Sequence, residues 1–267
     1  MRLVVKVGGA GLRGAASRAE FATAVARAGE AGHQLVLVHG GGPQIRAMAE
    51  RLGVPQRDAD GLRITDDATV EVVTAVLGGT VNKALVLALH GAGVAAVGLC
   101  GADGGTVQVR RHQPDGRDLG HVGEVSEVRP QLLELLLGAG YVPVLAPLAP
   151  LLPGAAGDPS QLHNVNADAA AAPIARALNA DALLFLTDVP ALRGPGGERL
   201  ARIDPAGAAR LRADGVLGGG MVPKTDAALA AARAGLHVKI APAAGDDAVC
   251  RALRNDVGTR CEGATRG

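Results

Sequence analysis

Apolar runs of strand length alternate along the chain with longer Ala/Leu-rich stretches of helical period. Leu3–Val7 precedes a helical pattern over Ala16–Gly32, and Gln34–His39 precedes another over Gln44–Leu52. Strands buried on both faces read as unbroken apolar runs, and crossover helices separate parallel neighbours, so the alternation predicts an α/β chain with a mainly parallel sheet between helical layers. The pattern continues with helices over Asp66–Leu77 and Thr80–His90 and a strand over Val94–Leu99. Two shorter strands, Thr106–Arg111 and Val122–Val128, flank a polar turn at Pro114–Asp118. A helix over Pro130–Ala139 and a strand over Tyr141–Ala146 lead into a loop rich in Pro, Gly and Ser, Pro147–Gln161. Beyond it the spacing predicts a helix over Ala167–Leu178, in which Pro173 implies a kink or a later start. A strand over Ala182–Thr187, helices over Pro205–Ala213 and Pro223–Ala234, a strand over His237–Ala241 and a helix over Asp246–Arg254 complete the chain. No repeat or long linker interrupts the series, which predicts one domain, 1–267, built of a lobe over 1–178 and a lobe over 179–267.

Two of the predicted strands run straight into glycines. Leu3–Val7 ends at Gly8-Gly9, and Gln34–His39 ends at Gly40-Gly41-Gly42 before a helix. Without Cβ atoms such turns let backbone N–H groups approach an anion closely, and a helix N-terminus adds partial positive charge. Two of them at the carboxyl ends of neighbouring strands predict one shared crevice. Neither is a G-x-x-x-x-G-K-[ST] loop and neither opens a G-x-G-x-x-G fingerprint, so a dehydrogenase loses its main support.

Composition narrows the picture further. The formal net charge is +1, with 27 basic against 26 acidic residues, so no charge excess points to nucleic acid or to a membrane surface. No run of eighteen apolar residues is free of charge or Gly/Pro interruption, and a cytoplasmic location is expected. Aromatic residues are 1% of the chain, so a nucleotide base has to sit between aliphatic side chains. Cys100, Cys250 and Cys261 are too scattered for a disulfide framework or a metal cluster. Of the 27 basic residues only Lys6, Lys83, Lys224 and Lys239 are lysines, which asks what each compact ammonium does. Lys6 stands on an otherwise apolar strand two residues before Gly8, and a buried lysine without a partner is costly, so it is expected to face the crevice. A surface lysine on an edge strand is the bland alternative.

The segments V-K-V-G-G and V-H-G-G-G-P resemble the start of the amino acid kinase family. G-L-R-I-T-D at Gly61–Asp66, H-N-V-N-A-D at His163–Asp168, L-T-D-V-P-A-L at Leu186–Leu192 and G-G-M-V-P-K at Gly219–Lys224 resemble its acetylglutamate kinase branch, in matching order, from Leu3 to roughly Arg260. The resemblance implies a three-layer αβα sandwich whose N-lobe holds the acyl amino acid and whose C-lobe holds ATP with Mg²⁺. It implies that Lys6 and Lys224 are the catalytic cations on the phosphoryl group in flight, with Asp168 holding both. Gly8, Gly9, Gly41 and Gly42 would offer N–H groups to phosphates and substrate, and Arg63 and Asn164 would bind N-acetyl-L-glutamate. Asp188, Val189, Pro190, Ala191, Leu192 and Arg193, with Val216, Leu217 and Gly218, would line the nucleotide site. A homodimer is expected, because the chain starts at the first strand and lacks the N-terminal helix of the arginine-inhibited hexamers. Ala10 and Cys100 depart from the family, which often has Ser at both places.

The chemistry is consistent with these residue types. A γ-carboxylate with a reference pKa near roughly 4.3 is already ionised at neutral pH, so phosphorylating it needs no general base. It needs the repulsion between two anions removed and the reactants aligned. A cation at about 4 Å supplies on the order of 4 kcal/mol at an effective dielectric of 20. The bland readings remain beside these: Asp168 as a helix N-terminal acid, Arg63 in a local ion pair with Asp60 or Asp66, His39 as strand-end packing, His163 at the pocket rim. Two further functions also stay open, a kinase for glutamate or α-aminoadipate carried on a protein, and a non-catalytic effector-binding module on the same fold.

Overall fold

A computed structural model describes residues 1–8, 12–59 and 61–263. Gly9, expected to donate to a phosphate, and Ala10 and Asp60 lie outside the described residues.

The first half of the chain contains β1 (Arg2–Val7), α1 (Ala15–Glu30), β2 (Gln34–His39), α2 (Gly42–Leu52), β3 (Arg57–Ala59), β4 (Leu62–Ile64) and α3 (Asp67–Thr74). A π-helical segment, Ala75–Val81, joins α3 to α4 (Asn82–Gly91). There follow β5 (Ala96–Leu99), β6 (Val107–Arg111), β7 (Val122–Val128), α5 (Gln131–Gly138), β8 (Val142–Leu145), β9 (Leu148–Pro150) and β10 (Leu162–Val165). The remainder comprises α6 (Ala167–Ala177), β11 (Ala182–Thr187), β12 (Arg202–Ile203), α7 (Pro205–Ala213), α8 (Met221–Arg233), β13 (Val238–Pro242), α9 (Ala248–Ala252) and β14 (Thr259–Cys261).

An eight-stranded sheet runs in the order β12-β14-β13-β11-β1-β2-β8-β5, parallel throughout except where β13 meets β14. Side chains alternate across a strand, and that period decides which helices each residue meets. Leu3, Val5 and Val7 of β1 join the core formed with α1, α2, α4 and α9, while Val4 joins the core formed with α5, α6 and α8. Lys6 shares the face of Val4 and therefore points at α6 and α8. On β2 the same rule puts Leu35 and Leu37 on the α1/α4 side, and His39 with them. A second sheet, β6-β7-β10-β9, and the β3-β4 hairpin share a cavity with the glycine turn that follows β2, through Val122, Asn164, Leu62 and Arg63.

Local chemistry sets the helix starts that matter. Asp66 caps α3 by accepting from Thr69 N–H at 3.0 Å, and Asn166 caps α6 by accepting from Asp168 and Ala169 N–H. Asp204 caps α7 ahead of Pro205 at its first position. Helix α6 starts at Ala167 with Pro173 inside it, so a later start is corrected. The break expected between Leu77 and Thr80 is also corrected: Gly78-Gly79 is spanned by the π segment, because Val76, Leu77 and Val81 on either side are all held in the core. The resulting helical rod, Asp67–Gly91, is by length and composition apolar enough to cross a membrane, but half of it is buried inside the protein, where α4 packs on α1.

The short strands of the second sheet, β9 and β10, occupy sequence expected to be loop or motif, and β12 and β14 extend the main sheet beyond the predicted strands. Each is only two to four residues long, too short to show a period.

Candidate active site

Lys6, on β1, is 6% exposed, and Lys224, in the first turn of α8, is 7% exposed. Asp168, in the first turn of α6, places one carboxylate oxygen, Oδ1, 2.8 Å from Lys6 Nζ and 2.8 Å from Lys224 Nζ. Asp168 stands where the partial positive charge of the α6 N-terminus favours a carboxylate. Lys224 stands at a helix N-terminus that disfavours a cation, and the carboxylate together with the Phe185 ring, 5.8 Å from Nζ, offsets that.

Burial drives the Lys6 pKa down to about 8; Asp168 opposes the fall and the Lys224 charge deepens it. Burial alone would raise the Asp168 carboxyl, but the two ammonium groups outweigh it and hold its pKa below the usual carboxylate value. The cluster carries two positive charges against one negative. That surplus cation charge in a buried crevice is what a polyanion would neutralise.

Two cavities meet at this cluster. The first, about 260 Å³, is lined by Gly40, Gly41, Gly42, Leu62, Arg63, Val122, Asn164 and Asp168, among others. The second, about 330 Å³, is lined by Lys6, Gly8, Thr187, Asp188, Gly218 and Lys224, with Leu186, Gly220 and Met221. The carboxylate thus faces one chamber and the ammonium groups the other. Both lie at the carboxyl ends of the central strands, where open α/β sheets place their ligands.

The structure gathers Gly41, Gly42, Arg63, Asn164 and Asp168 around the first chamber and Gly8, Asp188 and Gly218 around the second. Val189 and Pro190 continue the turn that Asp188 begins. Ala191, Leu192 and Leu217 are buried, with Leu192 and Leu217 in the hydrophobic core, and the Leu192 N–H donates to Thr259 Oγ1 at 2.9 Å. Arg193 is exposed and donates to the Gly197 carbonyl at 2.8 Å, and Val216 is exposed. Arg63 donates to Gln56 Oε1, while Asp66 pairs with Arg57 at 3.1 Å, so the Arg63–Asp66 ion pair is not formed. Burial lowers the Arg63 pKa, with Asp58 opposing.

Sequence reasoning passed over Thr65. Its Oγ1 accepts from Asn164 Nδ2 at 3.2 Å, tying the hairpin that carries Arg63 to β10. The residue sits inside the quoted G-L-R-I-T-D segment, but a lone threonine gives no period or charge to single it out. His163 does not border the first chamber. Alternation along β10 sends Asn164 toward it and His163 the other way, into a neighbouring polar cavity where its ring meets His121 edge-on at 5.5 Å. Among the described residues no group of three or more His, Cys, Asp or Glu is placed to hold a metal ion.

The chain matches the amino acid kinase family over residues 1–242. It is 42% identical over 245 residues to an acetylglutamate kinase of Sinorhizobium medicae, covering 88% of this chain and 81% of the relative. An acetylglutamate kinase of Acidiphilium cryptum is 42% identical over 244 residues, covering 88% and 80%. Among solved structures, a Streptococcus mutans protein superposes with a TM-score of 0.80 at 29% identity, covering 98% of both chains. Carbamate kinase from Giardia lamblia bound to AMP-PNP superposes with a TM-score of 0.73 at 19% identity over 98% of both, a likeness of fold.

Proposed function

The chain belongs to the amino acid kinase family, and from that premise we propose that it transfers the γ-phosphoryl group of ATP to the γ-carboxylate of N-acetyl-L-glutamate, giving N-acetylglutamyl 5-phosphate. The observation that carries the reading is the single Asp168 oxygen held between two buried ammonium groups where two chambers meet. The acyl amino acid occupies the chamber of Arg63 and Asn164, and the nucleotide occupies the chamber of Gly8, Asp188 and Gly218. The N-lobe, 1–178, then supplies the acceptor site and, through Lys6 and Gly8, one edge of the nucleotide site, the rest of which comes from the C-lobe, 179–267.

The Arg63 guanidinium presents a planar fork suited to the α-carboxylate. Asn164 adds a neutral donor, and the N–H groups of Gly41 and Gly42 meet oxygens of the reacting groups. The acceptor arrives ionised, so the protein's task is electrostatic and positional. Lys6 and Lys224 neutralise the transferring PO₃ unit from the nucleotide side. Asp168 offsets the repulsion between the two ammonium groups and holds both of them at the junction. Mg²⁺ enters with the nucleotide as part of the co-substrate MgATP, in keeping with its preference for phosphate and water ligands.

A carrier-bound acceptor is not favoured, since the relatives at 41–42% identity are acetylglutamate kinases. The reading includes a cytoplasmic homodimer. Leu87 is 69% exposed on α4, which packs beside β5 at the sheet edge, and a second copy would cover both. Incubation with N-acetylglutamate, MgATP and hydroxylamine should yield the acyl hydroxamate, and Lys6→Met and Lys224→Met should abolish it. Absence of product from the unaltered protein would remove the reading.

A further inference from the structure

Three consecutive glycines carry no side chain to set the orientation of the peptides between them, and a Gly-Gly peptide turns over at little cost. Yet the turn Gly40-Gly41-Gly42 lines the first chamber with its backbone. A buried chain of hydrogen bonds ends on this turn, and each proton in it can be assigned from chemistry.

The Val144 carbonyl can only accept, and it lies 2.9 Å from the amide nitrogen of Asn82, which is therefore the NH₂ end. That same NH₂ group meets His39 Nε2 at 3.1 Å, so Nε2 is the unprotonated acceptor. Asn82 Oδ1 faces Lys83 Nζ, an all-donor group, at 3.2 Å, which agrees with this orientation. A neutral imidazole bare at Nε2 carries its proton on Nδ1. His39 Nδ1 lies 3.0 Å from the Gly40 carbonyl oxygen, to which it donates. His39 is wholly buried and Asn82 is 1% exposed, so water does not compete. Burial pushes the His39 pKa down to about 4, and the ring stays neutral at working pH. Gly98 makes room for the arrangement, since a Cβ there would collide with Asn82 Oδ1.

In a trans peptide the C=O and the following N–H point in opposite directions. Drawing the Gly40 carbonyl toward the buried His39 ring turns the Gly41 N–H away from it, and that N–H has no acceptor among the described residues. We infer that Asn82 is a positioning residue that acts through His39 to lock the Gly40–Gly41 peptide, so that the Gly41 N–H is presented to the acceptor or to the phosphoryl group. This rests on the proposed function for its ligand and on hydrogen-bond geometry for its mechanism.

The experiment combines kinetics with ¹⁵N-resolved imidazole spectra. In the unaltered protein His39 should be protonated at Nδ1 and bare at Nε2. In Asn82→Leu the two tautomers should mix, and kcat/KM for N-acetylglutamate should fall at least tenfold while KM for ATP stays within twofold. Gly98→Ala, which displaces Asn82 without touching the chamber, should move both readouts in the same direction. His39→Asn, which keeps an N–H at the Nδ1 position, should retain at least tenfold more activity than His39→Phe. A proton on Nε2 in the unaltered protein would overturn the inference. So would Asn82→Leu losing activity only in proportion to unfolded protein, with its KM values and the tautomer unaltered. If the unaltered protein formed no acyl phosphate, the spectra would still decide the relay, and only the proposed function would fall.

Discussion

A Cβ atom on Gly8 would lie 2.9 Å from Lys6 Nζ, so a side chain there is accommodated only if the ammonium shifts from its present position beside Asp168. The backbone at Gly8 is in no left-handed conformation, so alanine there costs little as backbone and much as a neighbour of Nζ. Gly8→Ala should fold with its melting temperature nearly unchanged and lose about tenfold in kcat, roughly 1.4 kcal/mol of transition-state stabilisation, as the ammonium is pushed from Asp168. Steady-state kinetics beside thermal melting check this; full activity would mean that the position of Lys6 Nζ is unimportant.

Replacing Asp168 with asparagine removes the only carboxylate that, among the described residues, contacts either buried ammonium group. Breaking a buried ion pair from one side leaves the other charge uncompensated, a loss on the order of 3 kcal/mol. Urea denaturation should show Asp168→Asn destabilised by that order, and saturating MgATP should recover part of it by placing anionic oxygens beside the lysines.

Those two residues also show what the sequence could and could not reveal. Strand alternation in Leu3–Val7 is enough to put Lys6 opposite Val5, and the resemblance of the quoted segments implies its partners, but that this face meets α6 and α8 is seen only in the fold. The eight-stranded order was not legible, since β12 and β14 are two and three residues long, β14 gaining its place by pairing with β13 and β12 by pairing with β14. Nor was the link from Thr65 to Asn164, residues 99 positions apart. The fusion of α3 and α4 was hidden because Gly78-Gly79 reads locally as a stop, and only the burial of its flanks carries the helix through.

The lowered Lys6 pKa gives activity an alkaline limb. If the charged ammonium is needed, kcat/KM, which reports the free enzyme, should decline as pH rises through about 8, and not near the ordinary lysine value of 10.5. The sign for stability is the reverse of a usual ion pair. A lysine whose folded pKa is depressed contributes an unfavourable amount that is constant below about 8 and vanishes as pH rises toward 10.5, where the unfolded chain also loses its proton. Asp168, also depressed, contributes stability at neutral pH that is lost in acid as its carboxylate is protonated. A pH–rate profile from 6 to roughly 9.5 with no decline would contradict the assignment to Lys6.

Gly120 anchors the hairpin that carries Arg63. Its φ is +72°, and a Cβ would collide with the Thr65 carbonyl, which also accepts from His121 N–H at 2.6 Å. Gly120→Ala therefore meets two penalties, the left-handed backbone and a contact with backbone that cannot swing aside, together about 2 kcal/mol or more. Because Thr65 also receives the Asn164 amide, the shift passes directly to the chamber wall. KM for N-acetylglutamate should rise at least fivefold and KM for ATP should stay within twofold, since Gly8, Asp188 and Gly218 stand on other elements. Arg63→Lys should raise the same KM while leaving stability unchanged, because an ammonium cannot reproduce the planar fork. If Gly120→Ala lost stability with both KM values unmoved, the hairpin would be a structural element that does not govern acceptor binding.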